Sequence, residues 1–265
     1  MRVPVTFGQY VPADSPVHSL DAKTKMGLVA AFTTAVFLVD GFPGLAAMAL
    51  CVASALRISR VPARIALRGI KALTILLSFT LLAHALRWNP ATVALVRLGP
   101  VAVDPDGLRD GVFFVLRVIL LVVGTSLLTL TTTPVQLTDG LERVMRPLAV
   151  LRFPAGEVAM MLTIALRFIP TTAQEAEKIL VAQTARGARF DEGGLIKRAR
   201  AFIPVMVPLF VNLFRRAEDL AEAMESRCYR GGEGRTRLHA SAMTGRDWLV
   251  LLVVAAALVA IGIAL

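Results

Sequence analysis

The sequence predicts an all-α polytopic membrane protein, with about five transmembrane helices and a cytoplasmic pair of long helices. Three observations carry the membrane class. Of 265 residues, 56% are apolar and only 18% charged, against about 25% charged in an average soluble domain. The mean hydropathy is +0.67, too apolar for a globule that must cover itself with polar side chains. The apolar residues also fall into long runs separated by short charged segments. A disordered chain, a disulfide-built secreted domain and a conventional soluble enzyme are excluded as descriptions.

The first 25 residues are expected to form a cytoplasmic segment. Met1–Pro16 has no apolar core of the kind a cleavable secretion signal needs, so none is expected. Four spans are expected within 26–133. Met26–Val39 and Phe42–Leu56 form a tight pair around Asp40-Gly41. Each is short for a bilayer that wants roughly 20 apolar residues. Pro62–Leu86 is longer, with Pro62 suited to a helix's first position. Gly111–Thr133 is interrupted only by Arg117, expected to snorkel toward the outer headgroups. A fifth span, within 247–265, begins at an interfacial Trp248.

Orientation follows from Lys and Arg. Arg57, Arg60, Arg64, Arg68 and Lys71 stand together with no acid among them, whereas Arg87–Asp110 carries three charges of each sign. Retaining the first group inside places the N-terminus and residues 134–246 in the cytoplasm. The formal net charge of +10 then reflects lipid phosphates and cytoplasmic retention, and no nucleic acid partner is expected.

Two further apolar stretches lie in 134–246. Ala155–Pro170 and Ala201–Phe214 are too short to span comfortably. They suit helices at the interface, with Met160, Met161, Met206, Phe210 and Phe214 offered to another apolar surface. Packing on the chain's own spans would satisfy the same residues.

The same region contains a repeat. At a shift of 41 residues, Ala176-Glu177-Lys178-Ile179 falls on Ala217-Glu218-Asp219-Leu220, and Ala182 on Ala223. Further on, Arg186-Gly187 falls on Arg227-Cys228. Both stretches read as helices with acids early and a cation last, as the helix dipole prefers. Gly187 and Gly231 are expected terminators. Positions 179, 182, 183 and 186 share a face, as do 220, 223, 224 and 227. Each face is small or apolar until it ends in arginine, whose guanidinium can fork onto a carboxylate or carbonyls in a pocket. An arginine before a terminator is also an ordinary helix end. Two matched ends suit a partner offering two similar pockets.

Ala185-Arg186-Gly187 and Ser226-Arg227-Cys228 resemble the paired Ala-Arg-Gly motifs of the T component of energy-coupling factor (ECF) transporters, the CbiQ/EcfT family. The opening is similar too: Gly8-Gln9-Tyr10-Val11-Pro12, Asp14-Ser15, His18-Ser19-Leu20-Asp21 and Lys23-Thr24-Lys25 resemble that family's N-terminal signature. The resemblance covers most of the chain. It implies a scaffold in the plasma membrane of a prokaryote, joining two cytoplasmic ABC-type ATPase subunits to a membrane-embedded substrate-capture S component. It also implies two coupling helices whose motif arginines dock in the ATPases. Carried over, Ala185, Arg186, Gly187, Ser226, Arg227 and Cys228 are the ATPase-docking residues, and vitamin or other micronutrient uptake is the function. Ser-Arg-Cys departs from the motif, and without glycine at 228 the second tip is expected to close differently. The complete N-terminal signature resembles the type shared among several S components more than a dedicated one.

No catalytic residue, cofactor or metal site is expected. Gly231-Gly232-Glu233-Gly234-Arg235-Thr236 lacks the lysine and the preceding strand of a phosphate loop. The Asp-Gly pairs at Asp40, Asp106, Asp110 and Asp139 build no acidic metal motif, and His18, His84 and His239 lack ligand spacing. The alternative is a self-contained secondary transporter, which calls for inverted repeats and polar groups at the membrane midplane; neither is found in the sequence.

Overall fold

The computed structural model describes residues 10–87, 96–98, 101–147, 154–231 and 243–264. They fall into two compact units, 10–140 with 243–264, and 141–231. Gly8, Gln9, His239 and the 232–236 part of the Gly-rich segment lie outside the described residues.

The first unit contains α1 (Ala22–Leu38), α2 (Phe42–Ser59), the single turn α3 (Ala63–Ala66), α4 (Arg68–Ala85), α5 (Pro105–Thr131) and, from the C-terminal segment, α10 (Gly245–Ala264). Four of these, α2, α4, α5 and α10, are long and apolar enough to cross a membrane. The remaining candidate, α1, has 17 residues and opens with Lys23 and Lys25. At 1.5 Å per residue it covers about 25 Å, below the ~30 Å hydrocarbon thickness.

The core gathers around α5: Val123 and Leu130 meet Phe32, Ala35 and Val36 of α1, Leu45, Met48 and Val52 of α2, and Leu258 of α10. Glycine allows the close approaches. A Cβ at Gly124 would overlap the Phe32 ring, and one at Gly262 would lie 2.8 Å from the Ala35 carbonyl oxygen. Small residues at such crossings are what membrane helices use when apolar burial alone does not favour association. The outer faces are apolar instead of polar: Ile75 and Phe79 on α4, and Leu249 and Leu252 on α10, are all exposed. That inverted pattern fits a hydrocarbon surround.

The helix boundaries refine those expected. The Pro62–Leu86 stretch breaks at Leu67, where Ile70 N–H bonds back to the Leu67 carbonyl at 3.1 Å, a tightened 3₁₀ step. Pro62 precedes the first turn as its cap. The span expected at Gly111 begins earlier, because Asp104 caps α5 by accepting from the Asp106 amide and Pro105 takes the first helical position. Between α4 and α5 runs a small antiparallel sheet, β1 (Leu86–Arg87), β2 (Val96–Leu98) and β3 (Val101–Val103), with β3 central. Its register pairs Leu86 and Val96 with Val103.

The helix α6 (Pro134–Met145) opens with a reciprocal capping box, in which Thr133 N–H donates to Gln136 Oε1 and Gln136 N–H to Thr133 Oγ1. Its residues from 141 on belong to the second unit. That unit is built on α7 (Ala155–Ala185), the short α8 (Leu195–Ala201) and α9 (Ile203–Glu225). The apolar stretches Ala155–Pro170 and Ala201–Phe214 are not separate helices. Ala155–Pro170 and Ile203–Phe214 are the N-terminal parts of α7 and α9, which run on through Pro170 and Pro208 into the repeated segments, while Ala201 closes α8.

Candidate functional site

Both repeated helices end in the same geometry. At the end of α7, Gly187 takes φ +88°; its N–H bonds to the Thr184 carbonyl at 2.9 Å, and Ala188 N–H reaches the Gln183 carbonyl at 3.0 Å. At the end of α9, Cys228 takes φ +56°; its N–H bonds to the Glu225 carbonyl at 2.8 Å, and Tyr229 N–H reaches the Met224 carbonyl at 3.0 Å. Each is a Schellman closure, with its paired six-to-one and five-to-two hydrogen bonds. The expectation that the second tip closes differently is therefore corrected: cysteine takes the left-handed position that glycine takes in the first. Gly231, the expected terminator, lies three residues beyond with φ +90° of its own.

This closure places Arg186 and Arg227 at equivalent cap positions. Ala185, Arg186, Gly187, Ser226, Arg227 and Cys228 are all exposed. Behind each arginine the burial pattern repeats: Ile179 and Gln183 are half-buried with Ala182 exposed, and Leu220 and Met224 are half-buried with Ala223 exposed. Each tip thus presents one guanidinium at the carbonyl end of a helix, where a cation is favoured.

The helices run antiparallel. Gln183 of α7 donates to the Pro204 carbonyl near the start of α9, whereas Glu175, two turns earlier, accepts from Asn212 and Arg216 further along α9. The two tips therefore point away from each other at opposite ends of the pair. The connector reverses the chain through an exposed Arg189–Glu192 ion pair at 2.9 Å and the packing of Phe190 on Phe202, ring centroids 5.0 Å apart.

The apolar face expected on these helices is present. Met206, Phe210 and Phe214 are exposed and, with Ile203 and Val207, recur every three or four residues along one stripe of α9. On α7, Met161 is 65% exposed while Met160 is half-buried.

Sequence reasoning missed what the N-terminal signature does. Val11 N–H bonds to the Leu130 carbonyl at 3.0 Å, and Lys25 Nζ donates to the carbonyls of His18 and Thr131 at 3.1 and 2.9 Å. His18 Nε2 donates to the Val11 carbonyl and, as that leaves Nδ1 the acceptor, Ser15 Oγ donates to it at 2.7 Å. The described part of the signature is a knot tying the N-terminal segment to the C-terminal end of α5. The dense run of Ser, His, Asp and Lys was its only signal. Asp247, also buried, accepts from Thr244 N–H and Oγ1 and so caps α10.

Arg117 donates to the Val39 carbonyl at the end of α1 and stands 4.7 Å over the Phe113 ring. His84 donates to the Thr80 carbonyl at 2.9 Å and stacks on Phe114. Among the described residues, no three of His, Cys, Asp or Glu converge on a metal position.

A family model described as cobalt transport protein, CbiQ, matches residues 13–238. The energy-coupling factor transporter transmembrane protein EcfT of Heliobacterium modesticaldum is 50% identical over 250 residues, covering 94% of this chain and 93% of that protein. EcfT of Thermosediminibacter oceani is 45% identical over 258 residues, covering 97% and 96%. EcfT of Bacillus subtilis is 42% identical over 254 residues, covering 95% and 96%. With its paired arginine caps, four helices suited to crossing a membrane among the described residues and similarity running nearly end to end, the chain belongs to the CbiQ/EcfT family of transporter transmembrane proteins.

Proposed function

We propose that this chain is the transmembrane scaffold of an ECF-type ABC importer, passing motion from two ABC-type ATPase subunits to a membrane-embedded S component that captures a vitamin or other micronutrient. ATP hydrolysis belongs to the ATPase subunits. The observation that supports this best is the pair of equivalent, exposed arginine caps, each built by the same Schellman closure. A single arginine at a helix end is ordinary; two in matched geometry suit a partner with two like grooves.

In this reading Arg186 and Arg227 each insert into one ATPase, with Ala185, Gly187, Ser226 and Cys228 shaping the tips. Residues 1–25 and 134–246 face the cytoplasm, residues 26–133 cross the membrane, and the segment from 247 onward crosses it again. ATP-driven closure of the ATPase pair displaces the tips. The displacement travels along α7 and α9 as rigid helices to their N-terminal halves, where Met160, Met161, Met206, Phe210 and Phe214 meet the S component. Thioether and aromatic side chains suit a surface that must hold a partner without a fixed polar register.

Affinity purification in detergent, with the ATPase and S-component genes co-expressed, tests the docking. Arg186→Glu and Arg227→Glu should each weaken ATPase retention, and the double variant should lose it while remaining monodisperse. Unchanged retention in the double variant would sink the docking role.

A further inference from the structure

The contact that joins the two long helices has a symmetry that their tips share. Glu175 of α7 accepts a hydrogen bond from Asn212 at 2.8 Å on one carboxylate oxygen and pairs with Arg216 at 3.3 Å through the other. The Arg216 guanidinium also stands 5.8 Å from the Phe168 ring centroid. The two side chains are 34% and 23% exposed for Arg216 and Glu175, whereas the connector pair Arg189–Glu192 is 71% and 59% exposed.

Glu175 and Arg216 are separated by the repeat's own shift of 41 residues, so they are equivalent positions. In an antiparallel pair related by a pseudo-twofold axis, equivalent positions touch only close to that axis; elsewhere residue i meets a different j. An unmodified repeat would bring two glutamates or two arginines together there, and like charges at contact repel. Here one copy carries the acid and the other the base. The tips are then equidistant: Arg186 lies 11 residues beyond Glu175 and Arg227 lies 11 beyond Arg216, each about 16 Å along a helix.

We infer that Glu175 and Arg216 are a positioning pair that fixes the point where α7 and α9 cross, midway between the two arginine tips. Partial burial makes the pair directional, and Asn212 occupies the carboxylate oxygen that would otherwise let it pivot freely. Sliding either helix by one turn along the other, about 5.4 Å, would part the charges and break the Asn212 bond. The two arms therefore keep equal length, and displacement of the tips becomes rotation about this point instead of slippage. The rotational consequence rests on the docking role proposed above; the crossing role does not.

The test is the distance distribution between nitroxide labels at Thr184→Cys and Glu225→Cys, equivalent exposed positions near the tips, in the full chain with Cys51→Ser and Cys228→Ser. It is measured by double electron–electron resonance in lipid nanodiscs. The parent chain should give one narrow distribution. Arg216→Glu and Glu175→Arg should each broaden it at least about twofold, and Glu175→Arg combined with Arg216→Glu should narrow it again, as a coupled pair requires. Unchanged width in the single reversals, or a swap as broad as either one, would overturn the inference. Should a reversal fail to fold, Glu175→Gln decides alone: it keeps an oxygen for Asn212 and removes the ion pair, so broadening supports the crossing role and unchanged width overturns it. ATPase retention by unlabelled chains that keep Thr184, Glu225 and Cys228 and carry only the Glu175 and Arg216 changes reports separately on docking, so failure of one does not obscure the other.

Discussion

Cys228 holds a left-handed backbone that costs an L-residue about 1–2 kcal/mol and glycine almost nothing. Cys228→Gly should therefore stabilise the end of α9, seen as slower amide exchange at Tyr229, whose N–H closes the turn. Gly187→Val, at φ +88°, should speed exchange at Ala188. Lys25 is the complementary case of a charge placed to satisfy backbone: with 5% exposure it serves the carbonyls of His18 and Thr131. Lys25→Met would leave both without this donor, and a loss of about 1–3 kcal/mol is expected in detergent unfolding. Both arginines of the tips were legible as a repeat. Neither the closure at Cys228 nor the partner of Lys25 was, because φ and a contact 106 residues distant leave no local trace. The partner of Arg117 was hidden for the same reason: the carbonyl it serves belongs to Val39, 78 residues earlier.

At the scale of elements, sequence reasoning found the right segments and cut them in the wrong places. The apolar stretches Ala155–Pro170 and Ala201–Phe214 read as short interfacial helices, and an internal proline costs a helix a hydrogen bond and a clash with the preceding turn. The helices continue through Pro170 and Pro208, making α7 31 residues and α9 23. The consequence is mechanical, because the apolar face and the arginine tip of each helix belong to one rod. The start of α5 errs in the opposite direction: the span expected from Gly111 begins at Pro105, because Asp104-Pro105 carries a helix-start pattern. Packing between elements yields its own prediction. Gly124→Leu would drive a side chain into the Phe32 ring of α1, and the lost fit between α1 and α5 should lower the melting temperature in detergent. Leucine is the better helix former, so a rise instead would place helix propensity above packing at this crossing.

For the molecule as a whole, the apolar exterior of the first unit and its four helices of spanning length agree with the composition from which the membrane class was read. Orientation is the property to test at this scale. With Cys51 replaced by serine, a membrane-impermeant maleimide should label the exposed Cys228 in inside-out vesicles and spare it in intact cells from which the outer wall has been removed. Labelling from the outside would reverse the proposed topology and remove the tips from any cytoplasmic ATPase.

Composition, helical periodicity and a 41-residue repeat determined the class, the long helices and the two arginines, because each is a local property of the chain and survives without knowing what it touches. Only the tertiary structure decided that Glu175 meets its own repeat equivalent, Arg216, and that the signature residues bind the end of α5. Those facts depend on which way α9 runs beside α7 and how the N-terminal segment folds back. The chain's reversal at 189–202 sets the first of these, and no spacing within either helix records it.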